Sequence, residues 1–198
     1  MTLFEILFLA AWLIEEIIRF PHRRRYRQEL RAKKAAHSRM TPLGVTLDML
    51  AFLGMEIVPL VAIFSDWLDF ADYDLPDGLG WLGALLMAGS IALLVVAHRH
   101  LGKNWSPSID LRQEHQLVTH GIYAYLRHPI YASVWLWCLA QALLVHNWIG
   151  GLAGLLLFLP VTLTRLPVEE TMMIDQFGDA YRDYMRRVGG IFPRVSKK

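Results

Sequence analysis

Residues 128–164 read HPIYASVWLWCLAQALLVHNWIGGLAGLLLFLPVTLT, and none of them is Asp, Glu, Lys or Arg. Arg127 precedes the run and Arg165 follows it. A single helix of that length would extend about 55 Å, against a hydrocarbon core of about 30 Å. The run must therefore fold back. His146-Asn147 lies near its middle, with Gly150-Gly151 just beyond. The spacing predicts a helical hairpin with legs over 130–146 and 148–164, each at the short end for a membrane span. A buried helix pair in a soluble core is the alternative that so long an apolar stretch disfavours.

Composition agrees. Of 198 residues, 55% are hydrophobic and 19% charged, and the mean hydropathy is +0.32. Soluble domains carry about 25% charged residues. Disordered, collagen-like and disulfide-scaffold classes are excluded. Cys138 is the single cysteine, so no intrachain disulfide forms.

Further spans follow. Residues 79–97 carry no charge. Residues 44–64 are apolar but contain Asp48, Glu56 and Pro59. Acids at membrane depth face protein or water, and for Glu56 partnership with another helix is the favoured reading. Residues 3–18 have a short uncharged centre between Glu5 and Glu15-Glu16. This segment is not read as a signal peptide, because no basic residue precedes it and Arg19 follows it directly.

Charge sign then orders the spans. The connection over 19–39 holds nine Lys and Arg, the one before residue 128 holds four, and the tail from Arg165 holds seven. These account for all 20 basic residues. The connection after residue 64 holds Asp66, Asp69, Asp72, Asp74 and Asp77 and no base. By the positive-inside rule, five spans put every basic segment on the cytoplasmic side, with the N-terminus outside and the C-terminus in the cytoplasm. The expectation is an all-α integral protein of an inner or plasma membrane. It divides into an N-terminal segment with its basic loop (1–43) and a membrane core with a cytoplasmic loop and tail (44–198). The basic cluster at 19–39 reads as a juxtamembrane segment on anionic lipid rather than a nucleic-acid site.

The chemistry-bearing residues gather in two cytoplasmic stretches. The loop carries His115, Gly121, Tyr123, Arg127, His128 and Tyr131 just before a span. Five histidines lie between His98 and His128, yet their spacing matches no zinc pattern, and no metal is expected. The tail begins Arg165-Leu-Pro-Val-Glu169-Glu170. Pro167 and the acids suit a helix start there, and Pro129 reads as a helix-start residue too. Met173, Phe177, Tyr181, Tyr184 and Val188 then recur at helical spacing, predicting one amphipathic helix ended by Gly189-Gly190.

The order G-I-Y-x-x-x-R-H-P-x-Y at 121–131, Glu169-Glu170, then F-G-x-x-Y-x-x-Y at 177–184 resembles the isoprenylcysteine carboxyl methyltransferase family. The five-span layout is similar to compact prokaryotic members, in a wider group with phospholipid N-methyltransferases. Residues 101–106 resemble the segment after their third span, and the likeness covers about 45–195. It implies methyl transfer from S-adenosylmethionine to a lipophilic acceptor, such as an isoprenylcysteine-like carboxylate, at the cytoplasmic face. The implied cofactor residues are His115, Gln116, Leu117, Val118, Gly121, Tyr123, Arg127, His128, Pro129, Tyr131, Glu169 and Glu170. The stretch from His115 to Val118 would take the adenine, His128 and Arg127 the carboxylate, and Glu169 or Glu170 the ammonium. Helix-terminal charge, or an ion pair with Arg165, is the other reading of the two glutamates. Arg165 and Asn104 are the implied catalytic residues. Arg165 either orients an anionic acceptor group or anchors the span end. Two other classes remain open: an NADPH-dependent reductase of related architecture, and a non-enzymatic membrane scaffold using the 19–39 loop. No oligomeric state is indicated.

Overall fold

A computed structural model of the chain describes residues 1–31, 41–102 and 116–194. Among the described residues seven α-helices run in order: α1 (Leu3–Arg31), α2 (Pro42–Phe52), α3 (Val58–Phe64), α4 (Asp77–Leu101), α5 (Pro129–Leu144), α6 (Trp148–Phe177) and α7 (Asp179–Arg187). A π-helical turn, Leu53–Ile57, joins α2 to α3. The segments Pro42–Phe64, α4 and α6 are long and apolar enough to cross a membrane, and α5 is a shorter apolar helix. The protein is thus a helical integral membrane protein.

α1 is not among the helices long and apolar enough to cross a membrane, and its faces are sorted. Its inward stripe is Phe4, Phe8, Ala11 and Glu15, all buried, while Leu3, Ile6, Leu13, Ile14, Ile17 and Phe20 are exposed. The helix turns its acid inward and its oil outward, which suits lipid rather than water. Glu15 pairs with Arg19. Trp12 Nε1 donates to buried Glu56 in the π-helical turn, as the favoured reading of that acid required. The helix also continues past residue 18 to Arg31, because a change from apolar to basic residues does not by itself end a helix.

α4 packs on α5, α2 and α3 on α6, and α1 lies over α4 and α5. Gly54 permits the α2–α6 approach: a Cβ there would stand 2.7 Å from the Ala153 carbonyl oxygen. Gln141, fully buried, donates from Nε2 to the carbonyls of Gly54 (2.9 Å) and Gly150 (2.7 Å). The hairpin turns where expected. Asn147 Oδ1 caps α6, accepting from the backbone N–H groups of Ile149 and Gly150 at 3.0 and 2.8 Å. Its Nδ2 donates to the Leu68 carbonyl (2.6 Å) and to Asp72 (2.7 Å), fastening the α3–α4 connection to the tip.

Two expectations about the tail are corrected. Pro167 does not start a helix: α6 runs unbroken through Pro160 and Pro167 to Phe177. Proline forfeits one backbone hydrogen bond, but side-chain bonds on both sides of Pro167 hold the helix against neighbours, as described below. Glu169 and Glu170 are therefore mid-helix residues, not helix-terminal charge. At 30 residues, α6 is about 45 Å long, longer than a bilayer core. Its apolar part spans, and the part from Arg165 onward projects beyond. Nor is the tail one helix. Gly178, at φ 56°, breaks it between α6 and α7, a backbone conformation that favours glycine.

Candidate active site

The start of α5 and the projecting part of α6 meet at one end of the bundle. Pro129 occupies the first turn of α5, as the sequence predicts. That places Arg127, His128 and Tyr131 around one helix N-terminus, facing two successive glutamates of α6.

The two glutamates divide their partners. Glu170 accepts from Arg127 Nε (3.1 Å) and Nη2 (2.6 Å), and from His128 Nε2 (3.1 Å). These bonds, led by the one from His128, hold its carboxyl down at about 2 despite partial burial. Glu169 accepts from Tyr131 Oη (2.7 Å) and Arg165 Nη2 (3.3 Å), and its Oε2 lies 4.0 Å from His128 Nδ1. Arg165 Nη1 in turn donates to both carboxylate oxygens of Asp48 on α2, at 3.1 and 2.9 Å. One ladder of polar groups thus runs from α2 through α6 to α5, all of it partly or fully shielded from solvent.

A second layer braces the ladder. Arg127 Nη1 donates to the carbonyls of Met185 and Val188 at the end of α7, where a cation also suits the helix dipole. The backbone N–H groups of Arg127 and His128 donate to the carbonyls of Gly189 and Gly190, at 2.8 and 3.2 Å. Tyr184 Oη donates to the Tyr123 carbonyl at 2.5 Å. Burial raises the phenol pKa of Tyr123, Tyr181 and Tyr184, so all three stay protonated. Gly189-Gly190 is more than a helix stop: it is the strap that pairs with the residues before α5.

Arg127, His128, Pro129, Tyr131, Arg165, Glu169 and Glu170 are therefore brought together. Tyr123 is buried beneath them, and Leu117 packs against Tyr181, Tyr184 and Val188. Val118 is half-buried, and Gln116 and Gly121 are exposed. Gly121, at φ 62°, sits so close to His100 that a Cβ would stand 2.4 Å from its ring. Asn104 and His115 lie outside the described residues. Two features escaped the sequence reading. Asp48 was visible as an intramembrane acid, but its partner 117 positions away was not. The double engagement of Arg127, with Glu170 on one side and α7 on the other, leaves it a bracket for the site, with its donors turned to protein.

The charges decide what the site can accept. Asp48, Glu169 and Glu170 face the guanidiniums of Arg127 and Arg165, with His128 between. His128 aside, the fixed charges sum to one negative, so the site suits a ligand bearing a cation.

The fold and this site define a polytopic helical membrane protein whose polar centre lies where the residues before α5 meet the projecting part of α6. Residues 81–175 match the sequence profile of the isoprenylcysteine carboxyl methyltransferase (ICMT) family. The protein-S-isoprenylcysteine O-methyltransferase of Dictyostelium discoideum is 30% identical over 69% of this chain and 59% of its own length. The enzyme of the same name from Rattus norvegicus is 30% identical over 74% of this chain and 55% of its own. The Schizosaccharomyces pombe enzyme is 35% identical over 42% of this chain and 35% of its own. A solved structure of the eukaryotic intramembrane Ras methyltransferase ICMT superposes with a TM-score of 0.51 at 23% identity, covering 78% of this chain and 53% of that one. The chain belongs to the ICMT family. It spans about half the length of the curated relatives it matches.

Proposed function

We propose that the protein is a membrane carboxyl methyltransferase that moves a methyl group from S-adenosylmethionine to the carboxylate of a lipophilic, isoprenylcysteine-like acceptor. The observation that carries this reading is the split pair Glu169/Glu170 within the segment matching the family. One turn of α6 offers two carboxylates with separate partners, in a setting one positive charge short. S-Adenosylmethionine has a sulfonium, an ammonium and a carboxylate, and the residues present fit it. When bound, it supplies a methyl group already activated toward an oxygen nucleophile.

Glu169 is placed to receive the ammonium, and His128 to donate to the carboxylate. Tyr131, whose hydroxyl bonds Glu169, fixes that carboxylate in place. Arg165 orients the acceptor's carboxylate, which needs no general base because it is already an anion. The chain's work is alignment and exclusion of water. An O–CH3 bond forms as an S–CH3 bond breaks, and the sulfur keeps the electron pair. The positive-inside pattern supports placing this site on the cytoplasmic face, with the N-terminus outside.

Purified protein in detergent, titrated with S-adenosylhomocysteine and separately with NADPH, tests the reading. Saturable binding of the first, abolished in His128→Ala and Glu169→Ala proteins that retain wild-type melting, is expected. Saturable binding of NADPH alone overturns it. Labelled S-adenosylmethionine incubated with native membranes then identifies the acceptor through the labelled product.

A further inference from the structure

Gly189 and Gly190 accept from the backbone N–H groups of Arg127 and His128, and Gly189 bridges Leu126. The strap therefore lies level with the start of α5, where the charge-free run begins. Beyond it the chain folds tightly on itself, since a Cβ on Gly189 would collide with the Phe192 carbonyl. That turn presents Phe192 outward, 80% exposed, and Tyr125, next to buried Leu126, is 68% exposed. An exposed aromatic by itself needs no explanation, but its level on the molecule does. At the hairpin tip Trp67, Phe70, Trp81 and Trp148 are exposed as well. From Trp148 to Arg165, α6 rises about 26 Å, close to the hydrocarbon core of about 30 Å. Amphipathic aromatic side chains collect in belts at the two faces of a bilayer, that far apart. The tip carries one belt, and Phe192 and Tyr125 stand at the level of the other.

We infer that Phe192 and Tyr125 form a lipid-docking foot: they enter the bilayer interface on the side of the site, and this contact holds the strap against the residues before α5. The occupant is the bilayer surface, because the foot's distance from the tip belt matches the membrane and because it adjoins the end of an apolar helix. Phe192 supplies apolar area, and Tyr125 adds a hydroxyl for the headgroup layer. The two glycines of the strap bring no side chain to pack. Besides their backbone bonds, the strap is held by its flanks: Arg127 on the Val188 carbonyl before it, and Phe192 after it. Lipid secures the second flank. The foot is independent of the chemistry proposed for the site, and its test needs no turnover.

The full chain is reconstituted in phosphatidylcholine vesicles with a bimane label on Phe192→Cys, on Tyr125→Cys or, as a solvent reference, on Arg182→Cys from the exposed face of α7. Cys138 is fully buried, and wild type carried through the labelling corrects for any reaction there. Lipid bearing a nitroxide near its headgroup is expected to quench the labels at 192 and 125 about threefold more than the label at 182. Iodide in the water should give the opposite order. Labels at 192 and 125 that lipid quenches no more than the one at 182 overturn the inference, whether those side chains face water or a protein partner. Unlabelled variants test the hold. Phe192→Glu should speed hydrogen exchange of the Arg127 and His128 amides about tenfold in vesicles, and Phe192→Trp should leave it within about twofold. Exchange in Phe192→Glu equal to wild type overturns the holding role, even where the labels reach lipid. So does an equal rise around Asn147, which marks general loosening of the fold.

Discussion

At the tip of the α5–α6 hairpin, Asn147 joins the α3–α4 connection to the start of α6 without using a charge of its own. Tyr73 helps, donating its hydroxyl to the Ala142 carbonyl. At the opposite end, Arg127, Glu170, Arg165, Glu169 and Asp48 join three segments, α2, α6 and the residues before α5, through paired charges. Both ends are tightly bonded, yet only the charged end is expensive to assemble, since buried ion pairs recover little more than their desolvation cost. A neutral amide with all its groups satisfied is the lower-cost fastener. The difference teaches that holding shape needs no paired charges, as the tip shows, so the costlier charged end supports the binding role proposed for it.

The largest expected effect is on the charged end. Arg127→Ala leaves Glu170 with His128 alone and frees the carbonyls at the end of α7. A loss of about 3–5 kcal/mol is expected from breaking such a pair, read as a lower denaturation midpoint with α7 and the strap proteolysed first. If α7 stays protected, the bracket role of Arg127 is wrong. At the tip, Asn147→Ala removes a helix cap and leaves polar groups unpaired, and should cost about 2 kcal/mol. Cofactor affinity at low temperature should stay within twofold, and a larger change would join the two ends that the comparison separates.

Acid should distinguish the ends again. The Glu170 carboxyl is held below its ordinary value, at about 2. Its contribution to stability is therefore complete above about 4.5 and is lost as the pH falls from there through about 2. Hydrogen exchange from α7 amides should rise across that window while the backbone around Asn147 stays protected. Uniform opening would refute the assignment. The smallest effect belongs to α7's outer face. Arg182 and Arg186 pair with Asp179 and Asp183 there, and Arg182→Ala should leave melting and activity unchanged, since exposed pairs contribute little.

Much of this was readable in residue order. The charge-free run announced its own reversal, and Asn147 lay where the chain turns. Pro129 marked the start of α5, and the residues around it marked one half of the site. Pro167 misled, because proline reads as a helix start wherever a turn is also plausible. Here the anchoring of Arg165, Glu169 and Glu170 on either side outweighs its missing hydrogen bond. Met173 through Val188 kept helical spacing across Gly178, so periodicity could not reveal the break. Asp48 and Arg165 lie too far apart in sequence for any local rule to pair them.

What the sequence by itself determined is that the chain carries helices apolar enough to cross a membrane, and which residues of the loop and tail can carry charge chemistry. Both follow from the cost of placing charge in hydrocarbon, a property each residue brings with it. The tertiary structure alone decided how the charges are shared: Glu170 to Arg127 and His128, Glu169 to Tyr131 and Arg165, and Asp48 to Arg165. Such pairing depends on which helix faces meet and at what depth, and that is set by packing contacts such as Gly54 against α6.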